Sequence, residues 1–252
     1  MSTKQTQTVG LAGWQSTADC YAGPAGAGAI VGDFSLSLML QSVAAQPNAT
    51  SEILFAAITN DQTDGLFVAR SGVADGYVDF AIQLGEGTHP AELFDVSLEA
   101  GTVAGRPVVL TFVLTMGTNL AAFVNGGLAV SFTLAHPFVP AGASPILLGG
   151  GIAGPAATIN TAILGAALNN AVLSSSEVEQ HALACMSAHQ FTGAGFFDHA
   201  WSTADNATRG IPLALTDSGA GSPITLTANA GLPTIRYVSD VAYSSPRYVN
   251  IT

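Results

Sequence analysis

Leu120-Ala121-Ala122-Phe123-Val124-Asn125-Gly126-Gly127-Leu128-Ala129-Val130-Ser131-Phe132-Thr133-Leu134 is the stretch that decides the fold class. Ala121 and Phe123 alternate into Asn125-Gly126, and Leu128, Val130, Phe132 and Leu134 alternate out of it. An Asn-Gly pair accepts the positive φ angles of a type I′ turn, so the segment predicts a tight antiparallel hairpin. Upstream, Val108, Leu110, Phe112, Leu114 and Met116 repeat every second residue, the period at which a strand presents one face to a core.

Moving outward, the same period recurs. Asp33 to Gln41 places Phe34, Leu36, Leu38 and Leu40 on one face and Ser35, Ser37, Met39 and Gln41 on the other, as in a half-buried strand. Glu52 to Thr59 and Gly65 to Arg70 are joined by the polar link Asn60-Asp61-Gln62-Thr63-Asp64. Tyr77 to Leu84, Leu93 to Leu98, Pro145 to Leu148 and Ile159 to Leu168 read as further strands. One helix is signalled: Ser174-Ser175-Ser176-Glu177-Val178-Glu179 holds two overlapping capping boxes, with Leu173 placed as a hydrophobic staple. It is expected near residues 175–189, with Leu183 and Met186 buried and His181 and His189 on its surface. Strands at such spacing predict an all-β, antiparallel two-sheet sandwich with that single short helix.

Composition bounds the function. Of 252 residues 48% are hydrophobic and only 9% charged, with mean hydropathy +0.43. Seventeen acidic residues face six basic ones, giving a net charge of −11, and Lys4, Arg70, Arg106, Arg209, Arg236 and Arg247 are scattered singly. Phosphate backbones and anionic membranes need clustered cations, so neither nucleic acid nor a membrane surface is an expected partner. Residues 107–176 contain no Asp, Glu, Lys or Arg, but Gly, Asn, Thr and Pro interrupt them too often for a spanning helix of about 20 residues. The polar start, Ser2 to Thr8, gives no signal peptide. A surface so poor in charge is explained if part of it is buried against neighbouring subunits.

The order of elements resembles the concanavalin A-like jelly roll, in particular its laminin-G-like branch. Asp33-Phe34-Ser35-Leu36-Ser37 is similar to that family's early strand, and Phe123-Val124-Asn125-Gly126 to its Asn-Gly hairpin after the strand Pro107 to Leu114. Leu173 to Cys185 resembles its closing helical segment. The match covers about residues 10–190 and departs where Val109 and Phe112 stand in place of middle-strand Trp or Tyr. It implies a jelly-roll domain over 1–190. Residues 191–252 form a C-terminal, β-rich extension, with short strands at Ile211 to Thr216, Ile224 to Thr227 and Thr234 to Val238, expected to pack on the core or on a neighbouring subunit.

Catalysis finds no support in the residues. The six Glu (52, 86, 92, 99, 177, 179) lack the one-strand spacing of a retaining glycosidase, no Gly-x-Ser-x-Gly elbow accompanies the five His, and the Gly149-Gly150-Gly151 run lacks a phosphate-loop Lys. No cofactor is expected. Calcium is the one metal the fold resemblance allows, with Asn60, Asp61 and Asp64 as donors, although the same residues compose an ordinary turn. Cys20 and Cys185 are either two buried thiols or a single bridge. Two functions follow as expectations. The first is a non-catalytic structural or decoration subunit of a large particle such as a phage virion, on the surface of a virion or extracellular particle and partnered by its own copies. The alternative is a glycan-binding lectin or adhesin module, with Trp14 and Trp201 as sugar-stacking candidates.

Overall fold

The computed structural model describes residues 10–12, 20–26, 30, 32–42, 52–59, 62–74, 77–99, 107–141, 144–150, 161–188, 191–193, 195–202, 214–229 and 236–238. Trp14, Asn60, Asp61 and His189 lie outside them. The strands are β1 (Gly10–Ala12), β2 (Cys20–Ala22), β3 (Phe34–Ser42), β4 (Glu52–Ile58), β5 (Asp64–Ala74), β6 (Tyr77–Glu86), β7 (Glu92–Glu99) and β8 (Pro107–Thr115). They continue with β9 (Asn119–Val124), β10 (Gly127–Thr133), β11 (Leu147–Leu148), β12 (Thr161–Asn169), β13 (His199–Ser202), β14 (Ala214–Leu215), β15 (Leu226–Asn229) and β16 (Arg236–Val238), with helix α1 (Ser175–Ala188) between β12 and β13.

Two antiparallel sheets form the sandwich expected from the alternation. One has the order β10-β9-β8-β3-β12-β13, the other β14-β15-β2-β11-β4-β5-β6-β7, and β1 pairs with β16 as a separate ribbon. The core between the sheets is built from every second residue of each strand: Phe34, Leu36, Leu38 and Leu40 from β3 meet Leu110, Phe112, Leu114, Val78, Phe80, Ile82 and Leu84. Strands beyond residue 190 extend both sheets, β13 at one edge through β12 and β15 through β2.

The β9–β10 hairpin has the predicted turn, with Asn125 at φ 51° and Gly126 at φ 86°. Asn125 also accepts from the Val109 amide at 2.9 Å, so its side chain ties the turn to β8. A Cβ on Gly126 would lie 2.9 Å from the Glu179 Cα: the turn is packed under α1 as well as left-handed. The helix starts on the first of the two capping boxes. Ser174 Oγ accepts from the Glu177 amide at 3.3 Å while the Glu177 carboxylate accepts from the Ser174 amide at 2.8 Å, and Leu173 and Val178 share one cluster as a staple does.

Two expectations change, and one pair of alternatives resolves. Ser35, Ser37, Met39 and Gln41 are buried like the opposite face of β3, because α1 with Phe191, Phe196 and Phe197 covers the outside of the six-stranded sheet through Met39, Val109, Val113, Phe123 and Leu164. On α1 the buried stripe is Val178, His181, Ala182 and Cys185, whereas Leu183 is exposed. His181 is therefore a core residue. Finally, Cys20 and Cys185 are free and buried. Cys20 belongs to the apolar outer face of the eight-stranded sheet and Cys185 to the outer face of the other, so the core lies between them and they form no bridge. Among the described residues no helix is long and apolar enough to cross a membrane.

Candidate functional site

Among the described residues, the outer face of β6 and β7 carries a strip of polar side chains. Val78, Phe80, Ile82, Val96 and Leu98 point into the core, so alternation sends Tyr77, Asp79, Ala81 and Gln83 of β6 outward with Leu93, Asp95, Ser97 and Glu99 of β7. The register sets Tyr77 opposite Glu99, Asp79 opposite Ser97, Ala81 opposite Asp95 and Gln83 opposite Leu93. Asp79 and Asp95 are thus diagonal neighbours across the two strands, with Cβ atoms roughly 7 Å apart. Ala81, small and buried, sits between Asp79 and Gln83 and forms the floor beside Asp95. Tyr77 and Ser97 are half-buried, while Asp95 and Glu99 are exposed. Burial, and then the neighbouring charge of Asp79, raises the Asp95 carboxyl above the usual range. The Gln83 amide is oriented by donating to the Gln62 carbonyl at 2.9 Å. This rigid strip offers carboxylate acceptors, an amide, a hydroxyl and one aromatic ring. It suits a ligand with many hydroxyl donors, and its two like charges do not suit an anion.

One end of the strip is braced by the β6–β7 turn. His89 pairs with Glu86 and stacks on His136 with ring centroids 3.8 Å apart and planes 15° from parallel. Thr88 donates to the same Glu86 oxygen at 3.1 Å, and hydrogen bonding from His89, ahead of the opposing effect of burial, holds the Glu86 carboxyl below the usual range. Glu92 accepts from the Ala135 amide at 3.0 Å and the His136 amide at 3.3 Å. The turn is thereby fastened to residues 134–141. Sequence reading missed this cluster, since His89 and His136 meet only through the fold.

The residues singled out from sequence fall elsewhere. Trp201 is fully buried, with its indole Nε1 donating to the Ile224 carbonyl at 2.8 Å; it is a core residue and offers no face to a sugar. Asp64 opens β5, and its carboxylate accepts from the Ala141 amide at 3.0 Å, which makes it a loop tie. Among the described residues no group of three or more His, Cys, Asp or Glu is arranged to hold a metal ion. His199 is held by Asp217 at 2.8 Å. Asp217 also accepts from the amides of Ala200, Gly219 and Ile224, and these bonds outweigh the effect of burial and keep its carboxyl low. That pair organises the path from β13 to β15.

No protein-family model matches the sequence, and no curated protein matches it. Among solved structures, it is similar to the binding domain of botulinum neurotoxin DC in complex with rat synaptotagmin II, at 12% identity and a TM-score of 0.48, over 62% of this chain and 36% of that one. It is also similar to the binding domain of Paraclostridial Mosquitocidal Protein 1, at 14% identity and a TM-score of 0.46, over 62% of this chain and 38% of that one. A botulinum neurotoxin type C structure described as dependent on two ganglioside molecules for cell entry matches at 12% identity and a TM-score of 0.46, over 62% of this chain and 36% of that one. The chain spans less than two-fifths of each of these proteins, and with TM-scores below 0.5 the functional reading rests on this chain's own residues.

Proposed function

We propose that this chain is a non-catalytic binding module whose ligand is a neutral glycan, held on the outer face of β6 and β7. The observation that carries the reading is the juxtaposition of Tyr77, Asp79, Gln83, Asp95 and Ser97 on one sheet face by the β6–β7 register. Sugar hydroxyls donate well to carboxylates, a ring edge or face covers sugar C–H groups, and a sheet holds such groups rigidly. Sialylated or sulfated glycans are disfavoured by the Asp79–Asp95 charge. A hydrolase would need one carboxyl enclosed in an apolar setting as an acid, whereas Asp95 stands exposed on an edge strand. Of the two expectations from sequence, the glycan-binding module is carried forward; the particle-subunit reading rests on surface composition alone.

A glycan array with and without calcium tests the reading. Binding to neutral glycans, independent of calcium and abolished by Asp79→Asn with Asp95→Asn, is the expected result. An array without a neutral glycan above background, or binding untouched by both substitutions in a folded protein, overturns it.

A further inference from the structure

The chain leaves the six-stranded sheet after Asn169, the last residue of β12, and rejoins it at His199, the first of β13. Leu168 pairs with His199, so α1 and the phenylalanines that follow it make an excursion that starts and ends at one point of the sheet. The base of this excursion is tethered. Ser35 Oγ donates to the Ala171 carbonyl and accepts from the Leu173 amide, each at 2.8 Å, and Asn169 Nδ2 donates to the Phe196 carbonyl at 2.9 Å. Beyond the base it rests on bare backbone at two glycines. A Cβ on Gly165 would lie 2.3 Å from the Phe191 ring, and one on Gly126 would lie 2.9 Å from the Glu179 Cα. The apolar contact, with Met39, Val109 and Phe123 on the sheet against Val178, Phe191 and Phe197, is a cluster separate from the core between the sheets. Lifting the excursion therefore breaks no described strand pairing and leaves that core closed.

An ionisable side chain sits within this contact. His181 is fully buried, with Nδ1 facing Ser37 of β3 and Nε2 facing Cys185 one turn on. Ser37 in turn meets Thr111 of β8 at 3.0 Å, and Phe191, Phe196 and Phe197 stand T-shaped around the imidazole. Among the described groups facing it, Cys185 is the other titratable one, a thiol pushed up to about 11 and therefore neutral. Glu177, one turn earlier on α1, is exposed and tied to Ser174. Both ring nitrogens thus meet neutral partners. An imidazolium held here would lose its hydration for a hydroxyl, a thiol and aromatic rings, whereas a lifted helix returns it to water.

We propose that α1 with Phe191, Phe196 and Phe197 is an acid-released flap, latched by the neutral His181 imidazole and hinged where β12 pairs with β13. Protonation of His181 lifts the flap and uncovers the apolar outer face of the six-stranded sheet while the sandwich stays folded. This is independent of the glycan reading, because that strip lies on the other sheet.

Cys185 is the reporter, a free thiol buried under the flap. A pyridyl disulfide, which reacts with thiols in acid, is applied to the full chain from pH 7 to pH 4. Labelling at Cys185 is read by peptide mass spectrometry and normalised to the urea-unfolded chain. The closed form refuses a proton between pH 6.5 and about 4, which corresponds to a rise in opening of about a hundredfold across that window. Normalised labelling should accelerate by that factor and respond little to about 1 M urea, because a flap exposes far less surface than unfolding does. His181→Gln should remove the acceleration. Labelling that follows the urea slope of global unfolding would mean that the flap has no motion of its own and would overturn the proposal. So would an equal acceleration in a folded His181→Gln protein, or none in the wild type. Should that variant not fold, the wild-type urea slope at pH 4 decides, a shallow slope supporting the flap and a global one overturning it.

Discussion

His181 is the most informative place to perturb this protein. Its imidazole is fully buried between α1 and β3, with Nδ1 3.5 Å from Ser37 Oγ and Nε2 3.4 Å from Cys185 Sγ. The rings of Phe191, Phe196 and Phe197 surround it with centroids 4.8–5.5 Å away. Burial disfavours the imidazolium and lowers its pKa from 6.5 to about 4, against a smaller opposing contribution at Thr192. The sign follows from proton binding. Below pH 6.5 the unfolded chain takes up a proton that the folded chain refuses until about pH 4, so stability is lost across that window. A tenfold difference in proton affinity is about 1.4 kcal/mol, which makes the total loss roughly 3 kcal/mol. Urea denaturation at pH 7.5, 6.0, 5.0 and 4.5 measures it, with His181→Gln as the non-titrating reference. Groups common to the two proteins cancel in the difference. Wild type should lose stability faster than the variant by about 1.4 kcal/mol per pH unit below 6.5. Parallel slopes in the two proteins would refute the reasoning.

Gly126→Ala places a Cβ in a left-handed turn and 2.9 Å from the Glu179 Cα; the backbone alone costs about 1–2 kcal/mol, and chemical denaturation showing less than half of that would contradict the turn. Asp217→Asn leaves His199 and three amides facing a weaker acceptor, a loss of about 2–4 kcal/mol at pH 7. Because the Asp217 carboxyl is held below 3.8, that difference should vanish as the pH falls through its lowered folded pKa. Cys185, buried and pushed up to about 11, and Cys20, also buried, should ignore a thiol reagent in the native state at pH 7 and react on unfolding; a fast native reaction would contradict their burial.

The parts of the fold that were legible in sequence are those fixed locally. Asn125-Gly126 specifies its turn through φ angles, and Ser174 with Glu177 specifies a helix start through hydrogen bonds within four residues. What covers a strand is not local. Ser35 and Ser37 look like solvent-facing residues until α1 arrives some 140 positions later, where Ser35 Oγ accepts from the Leu173 amide and Ser37 Oγ meets Thr111 and His181. On α1 the helical period did hold the answer: Val178, His181 or Ala182, and Cys185 mark one stripe. Leu183 is more hydrophobic but lies off that stripe. The candidate face was illegible for a different reason. A slip of one residue between β6 and β7 would turn Asp95 inward, so the pairing of Asp79 with Asp95 exists only once the register is known.

The distribution of charge gives that face its significance. A chain with seventy consecutive residues free of Asp, Glu, Lys and Arg (107–176) nevertheless sets Asp79, Asp95 and Glu99 on one side of two adjacent strands. The Asp95 carboxyl is raised by burial first and by the charge of Asp79 second. Asp79→Asn removes the second of these and should bring the Asp95 titration, followed by carboxyl NMR, to lower pH. The same substitution should weaken glycan binding. The two effects together are what carboxylates sharing one ligand face produce. If Asp79→Asn leaves the Asp95 titration in place, the two carboxylates do not share a site and the strip is an ordinary solvated edge.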